Sequence, residues 1–466
     1  MPVVARCIQI LNGTVAVSQC PLIVLTMCLV WYGFVQAQEN TEPAAPVVAT
    51  DEVTPAAPVQ DAPATELPPE DPNVQPPAAG CAKEIVAQNA LTAKVRAINN
   101  KLERIPDAQF LQLKRAVAAG IQSGAGGAAD LENLKLVLQH RLFQATDPEF
   151  VANADSVKNL LTEMDREIRM AGGQAGNAQN TKSYRQKYCD AVLAVAKQMF
   201  DNNLDARLIA IQVIKELYVN KTATGVIENH SESLTTLLGL LKDPQQPDSV
   251  KVAAAAAIGF VLSNMSVIPQ QQAEVSDVIA TELDRTCTEI GYQMNLVETL
   301  YGITVARKPV GPPTTTVMRT FVKLVDDRNR SLQVRCQAAY GIGNGAYDAK
   351  IDFDPLTWKV ANLTLEASVF FNQAPGNPAW PHCGSDLFFA YRHRDKTGLT
   401  KQLPMLPHGM LNRAATLVPV KDSGNLVALK FGIPLWANKA KIAQADQEAL
   451  KAWINANKAL ENKPWE

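Results

Sequence analysis

Between residues 184 and 345 the chain repeats itself. A fixed period is the strongest constraint a sequence can place on its fold, because each unit must be built alike and packed against the next. The segments Ala206-Arg207-Leu208-Ile209-Ala210-Ile211, Val250-Lys251-Val252-Ala253-Ala254-Ala255, Gln293-Met294-Asn295-Leu296-Val297-Glu298 and Val334-Arg335-Cys336-Gln337-Ala338-Ala339 start 44, 43 and 41 residues apart. Three of the units close on glycine, at Gly259, Gly302 and Gly343. Ahead of each segment runs another apolar stretch, at 184–200, 233–241, 275–286 and 317–325, with the three- to four-residue spacing of one helix face. The repeating unit is therefore a pair of helices.

Residues 82–170 keep the helical spacing, with Ile85, Leu91, Val95, Ile98 and Leu102 in a first segment and further segments at 110–121, 131–143 and 157–170. Ile105-Pro106-Asp107, Gly124, Gly126, Gly127, Asp147-Pro148 and the stretch 172–176 mark the breaks. No period-two alternation occurs here, which argues against an α/β fold. After Tyr347 the pattern loosens. Residues 358–371 read as one more helix, and Pro375-Gly376, Pro378 and Pro381 open an irregular stretch that runs to Ala437. Within it the apolar pieces 417–420 and 426–431 flank Asp422-Ser423-Gly424-Asn425, a hairpin pattern. Residues 440–460 read as a last helix with Trp453 on its apolar face. Tyr347, Trp358, Phe370, Phe371, Trp380, Phe388, Phe389 and Tyr391 supply the core of a cap for the end of the stack, or alternatively an aromatic binding surface.

Two second helices are the most regular: Asp248-Ser249-Val250-Lys251-Val252-Ala253-Ala254-Ala255-Ala256-Ala257-Ile258-Gly259 and Ser331-Leu332-Gln333-Val334-Arg335-Cys336-Gln337-Ala338-Ala339-Tyr340-Gly341-Ile342-Gly343. Each has a polar start, Val followed by a base, an alanine-rich run and a closing Ile-Gly. In this the chain resembles HEAT-repeat proteins, whose units of about 40 to 47 residues are helix pairs stacked into a superhelix. The resemblance covers about 160 of 466 residues; the 201–217 unit follows it loosely, and the Gln293 unit lacks the base and the alanines. It implies that the acid before the second helix and the base within it tie neighbouring repeats together, placing Asp201 with Arg207, Asp248 with Lys251 and Asp327 with Arg335. The alternative is that Arg207, Lys251 and Arg335 face a ligand. Alanine favours the helix and lets repeats approach, and glycine supplies the left-handed turn that stops it. Gly341-x-Gly343-x-Gly345 follows a helix, so it too reads as a terminator and not as a phosphate loop.

The first eighty residues stand apart. Residues 21–35 are apolar and uncharged and lead to Val35-Gln36-Ala37, so 1–37 reads as a signal peptide cleaved after Ala37. The alternative keeps 14–37 as a membrane tether. Both place the body outside the cytoplasm, in the periplasm or secreted. Residues 38–80 are rich in proline and carry eight acids and no base, an extended, self-repelling spacer. Gly80-Cys81 follows no apolar stretch and is no lipidation signal. Beyond the spacer 43 bases face 38 acids, far from the concentrated positive surface of a nucleic-acid binder. The five remaining cysteines, Cys81, Cys189, Cys287, Cys336 and Cys383, are odd in number and widely spaced. They read mostly as small buried helix residues, with one or two bridges admitted by an oxidising compartment.

His382, Cys383, His393 and His408 gather metal-ligating groups within 27 residues, and Cys383 with His393 or His408 is a conceivable nucleophile pair. Their spacing matches no zinc finger or ribbon, and Cys-x-x-Cys, Cys-x-x-Cys-His and His-Glu-x-x-His are absent. Neither Ser233 nor Ser385 has a Gly-x-Ser-x-Gly setting, and Asp326-Asp327 reads as a solvated cap. The expected protein is mainly α: an N-terminal helical region (81–180), an α-α superhelix of HEAT-like repeats (181–346) and an irregular C-terminal cap (347–466). It would be no enzyme and would need no cofactor. A protein partner would bind the concave face made by 204–218, 250–263, 293–304 and 332–344. Two other readings are a metal- or thiol-dependent enzyme with its site at 380–410, and a self-assembling structural component of the envelope.

Overall fold

Several helices start where the sequence supplies a cap. The computed structural model describes residues 81–466 except 125–127, 286, 307–314, 347–349, 393–408 and 415. In it the side chains of Asn153, Asn177, Asn203, Ser331 and Asp352 accept first-turn backbone N–H groups, donors with no partner inside the helix. Pro269 and Pro381 stand in first turns, where the missing N–H leaves no bond unmade. The region before the repeats holds α1 (Cys81–Arg96), α2 (Asp107–Ser123), α3 (Ala128–Leu142) and α4 (Ala154–Met170). Then follow α5 (Ala178–Lys197), α6 (Leu204–Ile214), α7 (Ser231–Lys242), α8 (Asp248–Asn264), α9 (Pro269–Leu283), α10 (Ile290–Tyr301), α11 (Thr316–Asp326) and α12 (Leu332–Asn344). The C-terminal part contains α13 (Phe353–Gln373), α14 (Trp380–Tyr391), α15 (Val418–Leu426), a π-helical turn (Val427–Gly432), α16 (Ile433–Ala437) and α17 (Gln444–Ala456). The protein is mainly α. Among the described residues the one sheet is β1 (Tyr218–Lys221) with β2 (Ile227–Asn229), antiparallel.

The helices pack as two rows. In the first, α7, α9, α11 and α13 touch in succession; in the second, α6, α8, α10, α12 and α14 do so, and α8, α10, α12 and α14 each also touch the first-row helix before them. Alanine lets the second row close up: Ala254, Ala255 and Ala257 are buried, and Thr299 on α10 donates to the Ala255 carbonyl at 3.1 Å. The glycines serve the same end, and the left-handed turn expected of them is absent: Gly302 and Gly345 do stand at helix ends, but with negative φ. Gly259 and Gly343 lie within helices and Gly302 caps α10 with φ −74°. A Cβ on Gly302 would lie 2.7 Å from Leu262 Cβ, and one on Gly341 2.7 Å from the Phe321 ring. Glycine is selected there for close approach.

Two further expectations are corrected. Residues 417–431 form no hairpin but α15 and the π-helical turn, because Ser423 and Gly424 pack against α13 and α14. Ser423 Oγ lies 2.7 Å from Thr357 Oγ1, and a Cβ on Gly424 would meet the Tyr391 ring at 2.7 Å. The stretch after Pro375 is not irregular throughout either, since Pro381 opens α14. The last helix is α17 followed by a short 3-10 turn, with Trp453 packed on the core. Phe371, Trp380 and Tyr391 are buried, while Trp358, Phe370, Phe388 and Phe389 are half-buried; Tyr347 lies outside the described residues.

Cys336 on α12 and Cys383 on α14 form a disulfide, and Cys287 is also disulfide-bonded, while Cys189 is a buried free thiol. Closing a loop of 47 residues removes freedom from the unfolded chain. A Cys336→Ser, Cys383→Ser variant is expected to lose about 3 kcal/mol. Thermal unfolding with and without reductant checks this, and reductant should have no effect through this pair in the variant.

Candidate interaction surface

The bases singled out by the repeat point inward. Arg207 is 5% exposed; its Nε donates to the Asn202 carbonyl at 2.8 Å and its Nη1 to Gln246 Oε1 at 2.6 Å. Burial lowers its pKa, and the charges of Asp201 and Asp243 counter that. Lys251 lies 3.5 Å from Glu282 Oε1 on α9. Arg335 grips Glu366 on α13 with two bonds of 2.7 and 2.9 Å and donates to the Val325 carbonyl at 3.1 Å. In both latter cases the acid stands 31 residues further on, in the first-row helix of the next unit. These side chains join successive units. A ligand-facing role for Arg207, Lys251 and Arg335 is therefore corrected: buried charges are held by fixed partners and do not meet solvent.

The expected pairing within a unit is corrected as well. Asp248 takes Arg285 at 3.3 Å, and Asp327 takes Arg330 at 3.1 Å. Arg285 also binds Glu282, and Glu84 on α1 at 3.0 Å. Burial opposes its charge, but the hydrogen bond and charge of Glu282 outweigh that and raise its pKa. Gln88 accepts the Asp248 N–H at 3.3 Å, so α1 is tied across the turn between α7 and α8. Where Met294 replaces the repeat's base, Arg330 takes over. It donates to the Leu283 carbonyl, to the Arg285 carbonyl at 3.2 Å and to Gln293 Oε1 at 2.9 Å. Glu282, Arg285, Arg330 and Glu366 were missed from the sequence; the shared 31-residue step to an acid was the signal that could have found two of them.

The metal and thiol readings lose their central residue. Cys383 is buried in its disulfide and offers no thiolate. His382 is exposed on α14, and His393 and His408 lie outside the described residues. Among the described residues no group of three or more His, Cys, Asp or Glu could hold a metal ion. Burial pushes the Cys189 thiol up to about 12, far from a reactive thiolate.

One constellation was invisible in the sequence. His230 Nδ1 lies 2.8 Å from Ser233 Oγ, and its Nε2 lies 2.9 Å from Asp190 Oδ1. The composition is that of a hydrolase triad, but the arrangement is reversed with respect to water. Ser233 and His230 are buried, and the carboxylate is the exposed end. A nucleophile must meet its substrate; this serine instead reaches back to the residue capping its own helix, and the trio fastens the start of α7 to α5.

The second row presents a different face to solvent. Leu208 and Gln212 on α6, Val252, Ala256 and Phe260 on α8, and Met294 and Asn295 on α10 are half-buried, and Glu298 is exposed. Lys215 stands over the Phe260 ring at 5.0 Å. Leu208, Val252 and Asn295 hold the same position in their segments and Met294 adjoins Asn295, so the face runs across α6, α8 and α10, which touch in succession. No family model matches the chain, and no curated protein or solved structure matches it.

Proposed function

We propose that this chain is a HEAT-like repeat protein that acts outside the cytoplasm by binding a protein partner on the face of its second helix row. The observation that carries the reading is the continuous half-buried face of α6, α8 and α10, apolar at Leu208, Val252, Phe260 and Met294 with polar groups at its margin, the make-up of a protein-binding patch. Helix rows touching in succession support the repeat stack. The Cys336–Cys383 disulfide fits an oxidising compartment and so supports export. No described helix is long and apolar enough to cross a membrane; residues 14–37 lie outside the described part.

A photoreactive amino acid placed at Val252, Ala256 or Met294 in the cells that make the protein is expected to yield a discrete protein adduct. The same group at Thr235 or Thr281, exposed on first-row helices, should yield none. Equal adducts from both rows, or none from the second, would sink the reading.

A further inference from the structure

From Val418 to Ala437 the chain is apolar on more than one face. Val420, Val427, Ala428, Phe431 and Leu435 are buried against the protein, yet Val418, Leu429, Ile433 and Trp436 are 44–66% exposed. A helical segment with apolar residues all round belongs inside something. Here one half is inside the protein and the other faces water. Leu429, Ile433 and Trp436 follow at steps of four and three residues, so they form one stripe, and their backbone passes through the π-helical turn 427–432. Glycine contacts seat the stripe on α14: a Cβ on Gly384 would fall 2.2 Å from the Trp436 nitrogen, and one on Gly432 2.9 Å from Phe388 Cβ. Trp436 consequently meets the Phe388 ring tilted at 6.1 Å and the Phe389 ring edge-on at 5.6 Å between ring centres.

The rim is basic. Residues 418–441 contain four lysines, Lys421, Lys430, Lys439 and Lys441, all exposed, against one acid, Asp422; Lys430 also lies 3.7 Å from Asp446. A second copy meeting the patch through a two-fold axis would bring like charges together, which disfavours self-association. An indole at the surface beside aliphatic side chains and flanked by lysines is the composition that lies in the headgroup boundary of a bilayer. We infer that the Leu429, Ile433 and Trp436 stripe with its lysine rim docks on an anionic lipid surface. The stripe is on other helices than the proposed protein-binding face. Each lysine adds attraction to anionic headgroups that salt weakens.

The test places an environment-sensitive fluorophore on Ile433→Cys of the full chain, with Leu429→Cys as a second probe site and Thr235→Cys on α7 as the control. A local probe separates this contact from any membrane binding by residues 14–37. Vesicles containing phosphatidylglycerol should raise emission about threefold at 433 and 429, with quenching by spin-labelled lipid, and leave 235 unchanged. Lys430→Glu with Lys439→Glu should abolish the rise. No rise, an equal rise on phosphatidylcholine vesicles, a rise with protein concentration alone or a rise with poly-glutamate in place of lipid would each overturn the inference, the last two in favour of a second copy or an acidic protein.

Discussion

Arg330→Met should lose about 4 kcal/mol of stability, read as a fall in the denaturant midpoint with little change in its slope. The methionine can fill the volume of the aliphatic stem. It cannot replace the donors to the Leu283 carbonyl and Gln293 Oε1, and it leaves the Arg285 carbonyl with only the Thr288 hydroxyl at 3.5 Å. Arg330 is 4% exposed, so water does not take its place, and each orphaned buried acceptor costs about 1–3 kcal/mol. Asp327 would also lose its partner at 3.1 Å. Lys323→Met offers the contrast: its 2.6 Å bridge to Asp284 joins two side chains that are both more than half exposed, and its loss should change stability by less than about 1 kcal/mol. Equal effects from the two variants would mean that Arg330 is no joint between units.

Gly343→Ala should cost about 4 kcal/mol or more, although it adds one methyl to a helix. Its Cβ would stand 2.0 Å from the Ala390 carbonyl oxygen and 2.6 Å from its carbon. The obstacle is main chain and cannot turn aside as a side chain would. Overpacking commonly costs about 1–3 kcal/mol, and more where the backbone itself must move. Separation of α12 from α14 is further resisted by the Cys336–Cys383 bond. Gly239→Ala reverses the sign. Nothing lies within 4 Å of a Cβ there, and helix propensity should give up to about 1 kcal/mol of added stability. Thermal unfolding of both variants decides; a Gly343→Ala protein as stable as the parent would remove close packing as the reason for that glycine.

How far the sequence reached can be seen in these residues. The helix pairs were legible because apolar spacing recurs within each helix and again from unit to unit, so errors at single positions average out. Bounds moved by a few residues, as with 275–286 against Pro269–Leu283. Residues Arg207, Lys251 and Arg335 were also picked out, and their inter-repeat role was one of the two readings. Their partners were not, because a side chain chooses among groups brought near by the packing of other helices. Ser423 and Gly424 misled for the same reason: small residues suit a turn and suit a tight contact, and composition cannot tell the two apart. The Cys336–Cys383 pair and the Asp190, His230 and Ser233 trio link parts of the chain with no local pattern connecting them.

By itself, then, the sequence determined the helical class of the chain and which helix faces are apolar, since these follow from local spacing and intrinsic propensity. Tertiary structure alone decided which acid meets which base, which glycines make room for a neighbouring backbone, which thiols pair and which apolar stripe is left facing water. Those outcomes depend on distances between segments far apart in the chain, and such distances exist only once the helices have packed.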